Sequence, residues 1–201
     1  MKGQLLILSG PSGSGKGTVV GRLREICPNL RLSVSVTTRA PREGEVEGVH
    51  YFFVGREDFR RMIDEDALLE YAQYVDNFYG TPRAYVEACR RKGEHVLLEI
   101  EPQGAAQVMQ KCPEAVSIFI LPPSMEELER RLRGRGTESD GVIRERLDQA
   151  ARELRHVEDY RYAVINSDFH KAAEEIRDIL VAEEHKVHNM TEQINEVLNR
   201  C

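Results

Sequence analysis

The chain has 201 residues, of which 41% are hydrophobic and 31% are charged, and its formal net charge is −6. This length suits one α/β domain with a small insertion, the apolar runs are too short to cross a bilayer, and no export signal precedes the first strand. We therefore expect a cytoplasmic protein without a membrane partner, and the acidic balance disfavours nucleic acid as a partner. The four cysteines include no C-x-x-C pair, which argues against a zinc site.

The first predicted unit is a strand at residues 4–9, a glycine-rich loop and an amphipathic helix over residues 16–26. The loop, SGPSGSGKGT, comes close to the pattern G-x-x-x-x-G-K-[ST], but it has Gly17 at the position of the hydroxyl. Glycines let backbone N–H groups point inward, and the helix start and Lys16 add positive charge. This context favours a nucleotide-phosphate site over a flexible loop that only resembles one. The residues assigned to the site are Gly10, Pro11, Ser12, Gly13, Ser14, Gly15, Lys16, Gly17 and Thr18.

Residues 34–80 are predicted to form a small, mostly β insertion into the α/β frame. Alternating side chains predict strands at 32–37 and 51–54, a short helix is expected over 59–63, and a further strand at 69–74. A loop rich in Arg, Gly and Pro, TRAPREGEVEG, separates the first two of these strands.

The rest of the chain is predicted to complete a parallel sheet covered by helices. Thr81, as an N-cap before Pro82, predicts a helix that ends at Gly93. Helix-length sequence separates the remaining buried-type strands, as in an α/β fold. Those strands are expected at 95–100, 117–121 and 163–166.

A helix, an arginine-bearing loop and a second helix are predicted to form a lid over about residues 126–155. Ser124 and Glu127 have the spacing of a capping box at the start of the first helix, and the polar loop RGRGTESDG follows it. Eight arginines and no lysine lie between residues 130 and 155, which favours planar, bidentate anion recognition. A salt-bridged surface helix is the alternative, because acidic residues are interleaved there. The tail, residues 169–201, is predicted to be helical.

Glu99 ends an apolar strand, at the place where open α/β sheets gather their ligands. With Gly17 in the loop, and if Thr18 contacts a phosphate, Mg²⁺ has no direct side-chain ligand there and depends on water and on another acid. We therefore favour Glu99 as that acid, acting through bound water, over a solvated glutamate at a strand end.

Six segments together carry a resemblance to the guanylate kinase family: SGPSGSGKGTV, SVSVTTRAPREGEVEGVHYFFV, LLEYAQY, FYGTPR, EIEPQGA and RLRGRGTESDGVIRERL. The chain resembles that family in unbroken order from about residue 4 to about residue 180. The resemblance implies transfer of the ATP γ-phosphoryl group to GMP or dGMP, with Mg²⁺ as cofactor and ATP and GMP as small-molecule partners. It also implies an α/β phosphate-loop kinase fold with a core (about 1–33, 81–125 and 156–201), a GMP-binding insertion (about 34–80) and a helical lid (about 126–155).

The resemblance assigns the acceptor site residue by residue. Glu70 matches the acceptor for the guanine N–H edge, Thr81 matches the partner of guanine O6, and Glu101 matches an acid that helps to hold the base. Adenine would leave these groups mismatched, and each buried mismatch costs about 1–3 kcal/mol. The residues that match the grip on the GMP phosphate are Ser35, Arg39, Arg42, Tyr51 and Tyr79.

The same resemblance assigns the donor side. Lys16 and three lid arginines match the cations that face the transferred phosphoryl group, whose charge they would stabilise in the transition state. Those arginines are Arg131, Arg135 and Arg146. Asn166 matches a position near the adenine of ATP.

The chain departs from the family pattern after the strand that ends at Glu99. The family usually has Asp-Ile-Asp before its Gln-Gly, whereas Glu99 and Glu101 are each longer by one methylene group, and Pro102 replaces a more ordinary residue. The longer side chains either reach the same places through another rotamer or weaken catalysis that depends on geometry. Arg161 stands where an acid is common.

Two other functions compete with a GMP kinase at this point. One is a non-catalytic module that binds phosphorylated peptides through the same arginines, although such modules typically lack a working phosphate loop and lid. The other is a kinase for a different phosphorylated acceptor, such as a ribose bisphosphate, against which Glu70 and Thr81 argue. The sequence leaves a homo-oligomer open.

Overall fold

The computed structural model describes residues 2–134 and 139–199, and these residues contain nine strands and eight α-helices. The strands are β1 (Leu5–Ser9), β2 (Leu30–Leu32), β3 (Ser35–Thr37), β4 (Tyr51–Phe53), β5 (Leu68–Tyr74), β6 (Asn77–Pro82), β7 (His95–Glu99), β8 (Val116–Leu121) and β9 (Tyr162–Ile165). The helices are α1 (Lys16–Ile26), α2 (Arg56–Asp64), α3 (Arg83–Arg91), α4 (Pro102–Lys111), α5 (Met125–Arg133), α6 (Asp140–Glu153), α7 (Phe169–Glu184) and α8 (Thr191–Leu198). None of the helices in these two ranges is both long and apolar enough to span a membrane.

Five of the described strands form an entirely parallel sheet in the order β2-β7-β1-β8-β9. The central strand β1 has β7 on one side and β8 on the other, so the strand order reverses at its carboxyl end. Ligands of open α/β sheets bind at such a point. The predicted fold class, a parallel sheet covered by helices, is confirmed.

Alternate residues of β1 face opposite layers of helices. Leu6 and Leu8 pack in one apolar cluster with residues of α1 and α7, whereas Leu5 and Ile7 pack in a second cluster with residues of α3 and α4. All four side chains are at most 2% exposed. Because both of its faces are buried in close-packed clusters, β1 gives the loop after Ser9 a rigid base.

The region predicted to be an insertion forms a separate sheet in the order β4-β3-β6-β5. β3 pairs parallel with β4 and antiparallel with β6, and β5 pairs antiparallel with β6. Phe59 of α2 packs with Val36 and Leu68 in an apolar cluster of this sheet alone. The second sheet therefore has its own small core, distinct from the two clusters of the main sheet.

Helices α5 and α6 also share a small apolar cluster, which contains Leu128, Leu132, Ile143 and Ala150. The backbone N–H of Glu127 donates a hydrogen bond of 3.1 Å to Oγ of Ser124. This bond confirms Ser124 as the N-cap of α5, as the capping-box spacing predicted.

The single strand predicted at 32–37 is wrong, because the chain changes sheets there. β2 ends at Leu32 in the main sheet, and β3 begins at Ser35 in the second sheet. Between them, the N–H of Ser33 donates to the carbonyl oxygen of Leu97 at 2.9 Å, the last such bond before the chain leaves β7. The alternation of side chains continues across this change, so periodicity alone cannot reveal it.

Two predictions about helix ends are also wrong. Thr81 is not an N-cap but the fifth residue of β6, and its hydroxyl bonds to Glu70 while α3 begins only at Arg83. The tail is not one helix, because α7 ends at Glu184 and a 3-10 turn separates it from α8. The side-chain amide of Asn189 donates to the carbonyl oxygen of Glu183 at 2.7 Å, which adds to the backbone hydrogen bond that Lys186 makes to the same oxygen at the end of α7.

Candidate functional site

A glycine-rich loop joins β1 to α1 at the carboxyl end of the central strand. Gly15 has a φ of +90°, and a Cβ atom there would lie 2.4 Å from Nδ2 of Asn166. Gly13 also has a φ of +90°, and its Cβ would lie 2.9 Å from side-chain carbons of Leu128 and Leu132 in α5. Glycine at these two positions therefore lets the loop pack closely against α5 and against the residue that follows β9.

Lys16, the first residue of α1, turns its side chain back over this loop. Its ammonium group donates to the carbonyl oxygens of Gly10 and Pro11, at 2.5 and 3.3 Å. The charge thus lies beside the N-terminus of α1, where free N–H groups and the helix dipole favour an anion. Gly17 and Thr18 are exposed on the first turn of α1. The loop and Lys16 have the arrangement expected of a polyphosphate cradle.

Asn166 and Arg131 hold the loop from the side of β9 and α5. The amide of Asn166 and the guanidinium Nη1 of Arg131 both donate to the carbonyl oxygen of Ser14, at 2.8 and 3.2 Å. Nη2 of Arg131 donates to the carbonyl oxygen of Asn166, and Nε donates to Glu127, both at 2.8 Å. Arg131 thereby joins α5 to the phosphate loop and to the residue after β9.

A second lid arginine, Arg146, also reaches the phosphate loop. Nη1 of Arg146, in α6, lies 3.5 Å from Oγ of Ser12 in the loop. Arg135 lies outside the described residues. Two of the three arginines assigned from the sequence thus lie against the phosphate loop.

A cavity of about 370 Å³ opens on the side of the loop that faces β9. It is lined by Gly13, Gly15, Thr18, Arg131, Asn166, Ser167, Asp168 and Phe169. The 4% exposed Asn166 uses its side-chain amide to bind the loop, so it supports this cavity rather than projecting freely into it. The ring of Phe169, which is 37% exposed, offers an apolar face beside the same cavity.

A larger cleft, of about 580 Å³, lies between the main sheet and the second sheet. The core contributes Lys16, Glu99 and Glu101 to its walls, and the second sheet contributes Ser35, Tyr51, Glu70 and Tyr79. Five of the residues assigned from the sequence to GMP therefore meet in one cleft with the lysine of the phosphate loop. This cleft is the place where an acceptor could approach a phosphoryl group held by the loop.

Glu70 lines this cleft and is 7% exposed. The buried hydroxyl of Thr81 donates to Oε1 of Glu70 at 2.6 Å. Burial raises the pKa of Glu70 above its ordinary value, and the hydrogen bond from Thr81 opposes that rise. Thr81 bonds only Oε1 of Glu70. The other carboxylate oxygen, Oε2, can therefore accept a hydrogen bond from a ligand.

Arg39 is held by Glu45, a residue that the sequence analysis did not single out. Nη1 and Nη2 of Arg39 donate to the two carboxylate oxygens of Glu45 at 2.9 and 2.8 Å, and the backbone N–H of Arg42 donates to Oε2 at 2.7 Å. The guanidinium also lies 5.3 Å from the centre of the Tyr51 ring. Hydrogen bonds from Arg39 lower the pKa of Glu45 to about 2. The sequence did hold a signal for this contact, namely an acid, Glu45, a few residues after Arg39 in the same loop, since arginine and carboxylate groups readily form bidentate pairs.

Glu99 and Glu101 line the cleft on the side of the phosphate loop. Both keep contact with solvent, but surrounding protein raises the pKa of each carboxyl above its ordinary value. Lys16 opposes the rise at both, while Glu101 adds to it at Glu99 and Glu153 adds to it at Glu101. A cation placed near these two carboxyl groups would stabilise their charged forms. Among the described residues, no three His, Cys, Asp or Glu side chains converge as a complete metal site.

Comparison with known proteins identifies relatives over almost the whole chain. The model of the family described as guanylate kinase matches residues 2–183. A guanylate kinase of Clostridioides difficile is 52% identical over 92% of this chain and 91% of its own, and one of Halalkalibacterium halodurans is 47% identical over 98% of this chain and 97% of its own. The crystal structure of guanylate kinase from Anaplasma phagocytophilum superposes with a TM-score of 0.71 at 44% identity, covering 92% of this chain and 88% of that one.

Proposed function

Because this chain belongs to the guanylate kinase family and transfers the γ-phosphoryl group of ATP to GMP, we propose that the two nucleotides meet beside Lys16, one on each side of it. The acceptor occupies the cleft of about 580 Å³, and the donor occupies the phosphate loop and the cavity beside Asn166. A phosphate oxygen of GMP attacks the γ-phosphorus in line, the bond to the β-phosphate oxygen breaks, and ADP leaves.

The second sheet selects the acceptor at both ends of the nucleotide. Glu70 accepts the N–H edge of guanine, Thr81 donates to guanine O6, and Glu101 contacts the base from the core. Thr81 has one hydroxyl proton, which it gives to Oε1 of Glu70 in this structure, so the hydroxyl turns to O6 when the base binds and leaves both carboxylate oxygens for the N–H groups of guanine. At the other end, the GMP phosphate is held by Ser35, Arg39, Arg42, Tyr51 and Tyr79.

The phosphate loop and three arginines act on the donor. Backbone N–H groups of residues 10–18 and the ammonium group of Lys16 bind the β- and γ-phosphates. Arg131 and Arg146 already contact the loop through Ser14 and Ser12, which supports their action on the transferred phosphoryl group together with Arg135. Their guanidinium groups stabilise the charge on the equatorial oxygens in the transition state.

Mg²⁺ would neutralise charge between the donor phosphates when it is bound. Glu99 would hold this ion through bound water, and Thr18 would remain free for a phosphate. The lack of a complete protein metal site among the described residues suits an ion that takes its other ligands from water and from the nucleotide.

The chain divides into three parts that can move relative to one another. We assign about residues 1–33, 81–125 and 156–201 to the core, about residues 34–80 to the GMP-binding insertion, and about residues 126–155 to the lid; the boundary near residue 80 falls within β6, which ends at Pro82. The separate apolar clusters of the second sheet and of the α5–α6 pair support this division, because each part keeps its own core during a hinge motion.

The observation that carries the proposal is the single cleft that joins Lys16 of the loop to Glu70 of the second sheet. Calorimetric titration tests it with the Glu70→Ala variant. We expect GMP binding to weaken by about tenfold to a hundredfold, because hydrogen bonds to a charged group are lost, while binding of a non-hydrolysable ATP analogue stays within about twofold. An equal loss of affinity for GMP and for the ATP analogue would contradict separate sites.

A further inference from the structure

Glu70 occupies an irregular position in its strand. Leu68 pairs with Pro82 and Tyr71 pairs with Gly80, so β5 advances three residues while β6 advances two. The extra residue makes a β-bulge, and bulges next to sites redirect a side chain out of the regular alternation. β5 is also an edge strand, so β6 supports it on one side only. Another element has to fix this segment if Glu70 is to keep one position.

Helix α4 supplies that support through its residue Gln107. The backbone N–H of Tyr71 donates to Oε1 of Gln107 at 3.1 Å, and Nε2 of Gln107 donates to the carbonyl oxygen of Tyr71 at 2.9 Å. One side chain thus satisfies both backbone groups of the residue after Glu70, as a neighbouring strand would. One helical turn further, Nζ of Lys111 donates to the carbonyl oxygen of Leu68 at 2.8 Å. The two helix residues therefore fix the strand on both sides of Glu70.

Gly104 lies on the same face of α4, one turn before Gln107, and faces the carboxylate itself. A Cβ atom on Gly104 would lie 2.8 Å from Oε2 of Glu70, 3.4 Å from its Cδ and 3.5 Å from its Cγ. The first distance is too short for a non-bonded contact, so any larger residue at 104 must push the carboxylate away. The absent side chain thereby reserves the space that the carboxylate of Glu70 occupies.

The rest of α4 belongs to the core. Ala105 and Val108, both fully buried, pack with Leu5 and Ile7 of β1 in the main sheet. The same helix therefore holds the central strand on one face and the bulge of β5 on another. The place of Glu70 relative to the phosphate loop is set through this helix.

We propose that α4 determines base selectivity, with Gly104, Gln107 and Lys111 as positioning residues that fix the carboxylate of Glu70 against guanine. This inference rests on the proposed role of Glu70 as acceptor for the guanine N–H edge. Gln107 and Lys111 do not line the acceptor cleft and act through Glu70, whereas Gly104 lines the cleft beside Oε2 of Glu70.

The Gly104→Ala variant tests the proposal, with Gly21→Ala as its matched control. Both are helical glycines, but a Cβ on Gly21 has no heavy atom within 4 Å. We measure kcat and KM for GMP, for inosine monophosphate, which lacks the 2-amino group of guanine, and for ATP. The kcat/KM for GMP falls about tenfold in Gly104→Ala, through KM, and the preference for GMP over inosine monophosphate shrinks. The KM for ATP and all constants of Gly21→Ala stay unchanged.

The Glu70→Asp variant separates displacement of the carboxylate from general damage to the fold. Aspartate withdraws the carboxylate by about one C–C bond, so it no longer reaches the Cβ of residue 104. We therefore expect Glu70→Asp with Gly104→Ala to be no worse than Glu70→Asp alone. Additive losses in the double variant would overturn the proposal, and so would a Gly104→Ala enzyme that loses GMP and inosine monophosphate activity equally.

Two further variants, Gln107→Ala and Glu70→Ala, distinguish failure of the inference from failure of the proposed role of Glu70. If Gly104→Ala does not fold, Gln107→Ala adds no atoms and carries the same expectation of a reduced preference for GMP. If Glu70→Ala keeps the full preference for GMP over inosine monophosphate, Glu70 does not contact guanine, and the proposed function of this residue fails together with the inference. If Glu70→Ala loses the preference while Gly104→Ala and Gln107→Ala retain it, the inference alone is overturned.

Discussion

The carboxylate of Glu99 faces Gly17, because a Cβ atom built on the glycine would lie 3.8 Å from Oε1 of the acid. Gly17 takes the place of the hydroxyl in the phosphate-loop pattern, and Glu99 takes the place of an aspartate usual in the family. The two departures of the sequence thus meet at one point of the fold. If Mg²⁺ binds there, both residues bear on the same ion.

Replacing Glu99 with glutamine is expected to raise the Mg²⁺ concentration needed for half-maximal activity by about tenfold, because the loss of an acid that acts through water typically costs 10- to 100-fold in metal affinity. Initial rates at saturating ATP and GMP over a range of Mg²⁺ concentrations measure this shift. Glu57→Gln, on the exposed side of α2, serves as the control and leaves the curve unchanged. An unshifted curve for Glu99→Gln would remove this residue from the metal site.

The Gly17→Ser substitution in the Glu99→Gln background tests whether the two residues serve one ion. A Cβ at this position has only an ordinary contact with Glu99, so serine fits and returns the missing hydroxyl. We expect the Mg²⁺ requirement to move back toward that of the unaltered protein, measured by the same titration. A requirement as high as in Glu99→Gln alone would mean that the hydroxyl at position 17 does not reach the ion.

The Glu45→Gln variant is expected to raise the KM for GMP severalfold and to leave kcat and the KM for ATP unchanged. Glu45 uses one edge of the Arg39 guanidinium and leaves other N–H donors for a phosphate, so the ion pair orients Arg39 before GMP binds. Steady-state kinetics with varied GMP measures the effect. A lower KM in the variant would instead show that Glu45 competes with the GMP phosphate for Arg39.

The affinity for GMP is expected to fall in acid because of Glu70. Burial raises the pKa of this carboxyl, and a protonated Glu70 offers an O–H donor to the donor edge of guanine. The KM for GMP of Glu70→Gln, divided by that of the unaltered protein, is therefore above one at neutral pH and falls toward one as pH falls through the raised pKa. Taking this ratio cancels the titration of the GMP phosphate itself. A ratio that stays constant between pH 8 and pH 4, a range that includes any pKa raised moderately above 4.5, would contradict the assignment.

Glu70→Gln is also expected to stabilise the fold at pH 8 while it weakens GMP binding. Since the pKa of Glu70 is raised above its ordinary value of 4.5, the folded state loses stability as pH rises from there through the raised pKa. A neutral amide still accepts the hydrogen bond from Thr81 and avoids that loss. Thermal unfolding gives the Tm of the variant minus the Tm of the unaltered protein. This difference should be positive at pH 8 and nearly zero at pH 4. A less stable variant at pH 8 would show that the charge of Glu70 is compensated in the folded protein.

Much of the fold could be predicted because the local sequence patterns and the final secondary structure agree. The apolar run at 4–9 followed by glycines and Lys16 allowed only a strand, a loop and a helix, and Ser124 with Glu127 marked the start of α5. The strand predicted at 32–37 failed for a physical reason. The side-chain alternation is the same on both sides of Ser33, whereas the partner strand changes from β7 to β6.

The site shows the same division between local and long-range information. The types and spacing of the glycines, the lysine and the arginines are enough to predict a phosphate site. The contacts that position them join residues far apart in the chain, such as Asn166 with Ser14 and Gln107 with Tyr71. Thr81 illustrates the limit: its sequence context indicates an N-cap, but the buried carboxylate of Glu70 is the partner that its hydroxyl finds in the folded protein.

The most direct measurement of the central claim is ADP formation from ATP and Mg²⁺ with GMP, AMP, CMP and UMP as alternative acceptors. We expect turnover with GMP to exceed that with each other monophosphate by at least about a hundredfold in kcat/KM, because adenine and the pyrimidines lack the paired N–H donors of guanine that Glu70 accepts. The Lys16→Ala variant should lose this activity while it keeps GMP binding. Equal turnover of GMP and AMP, or full turnover by Lys16→Ala, would contradict the account.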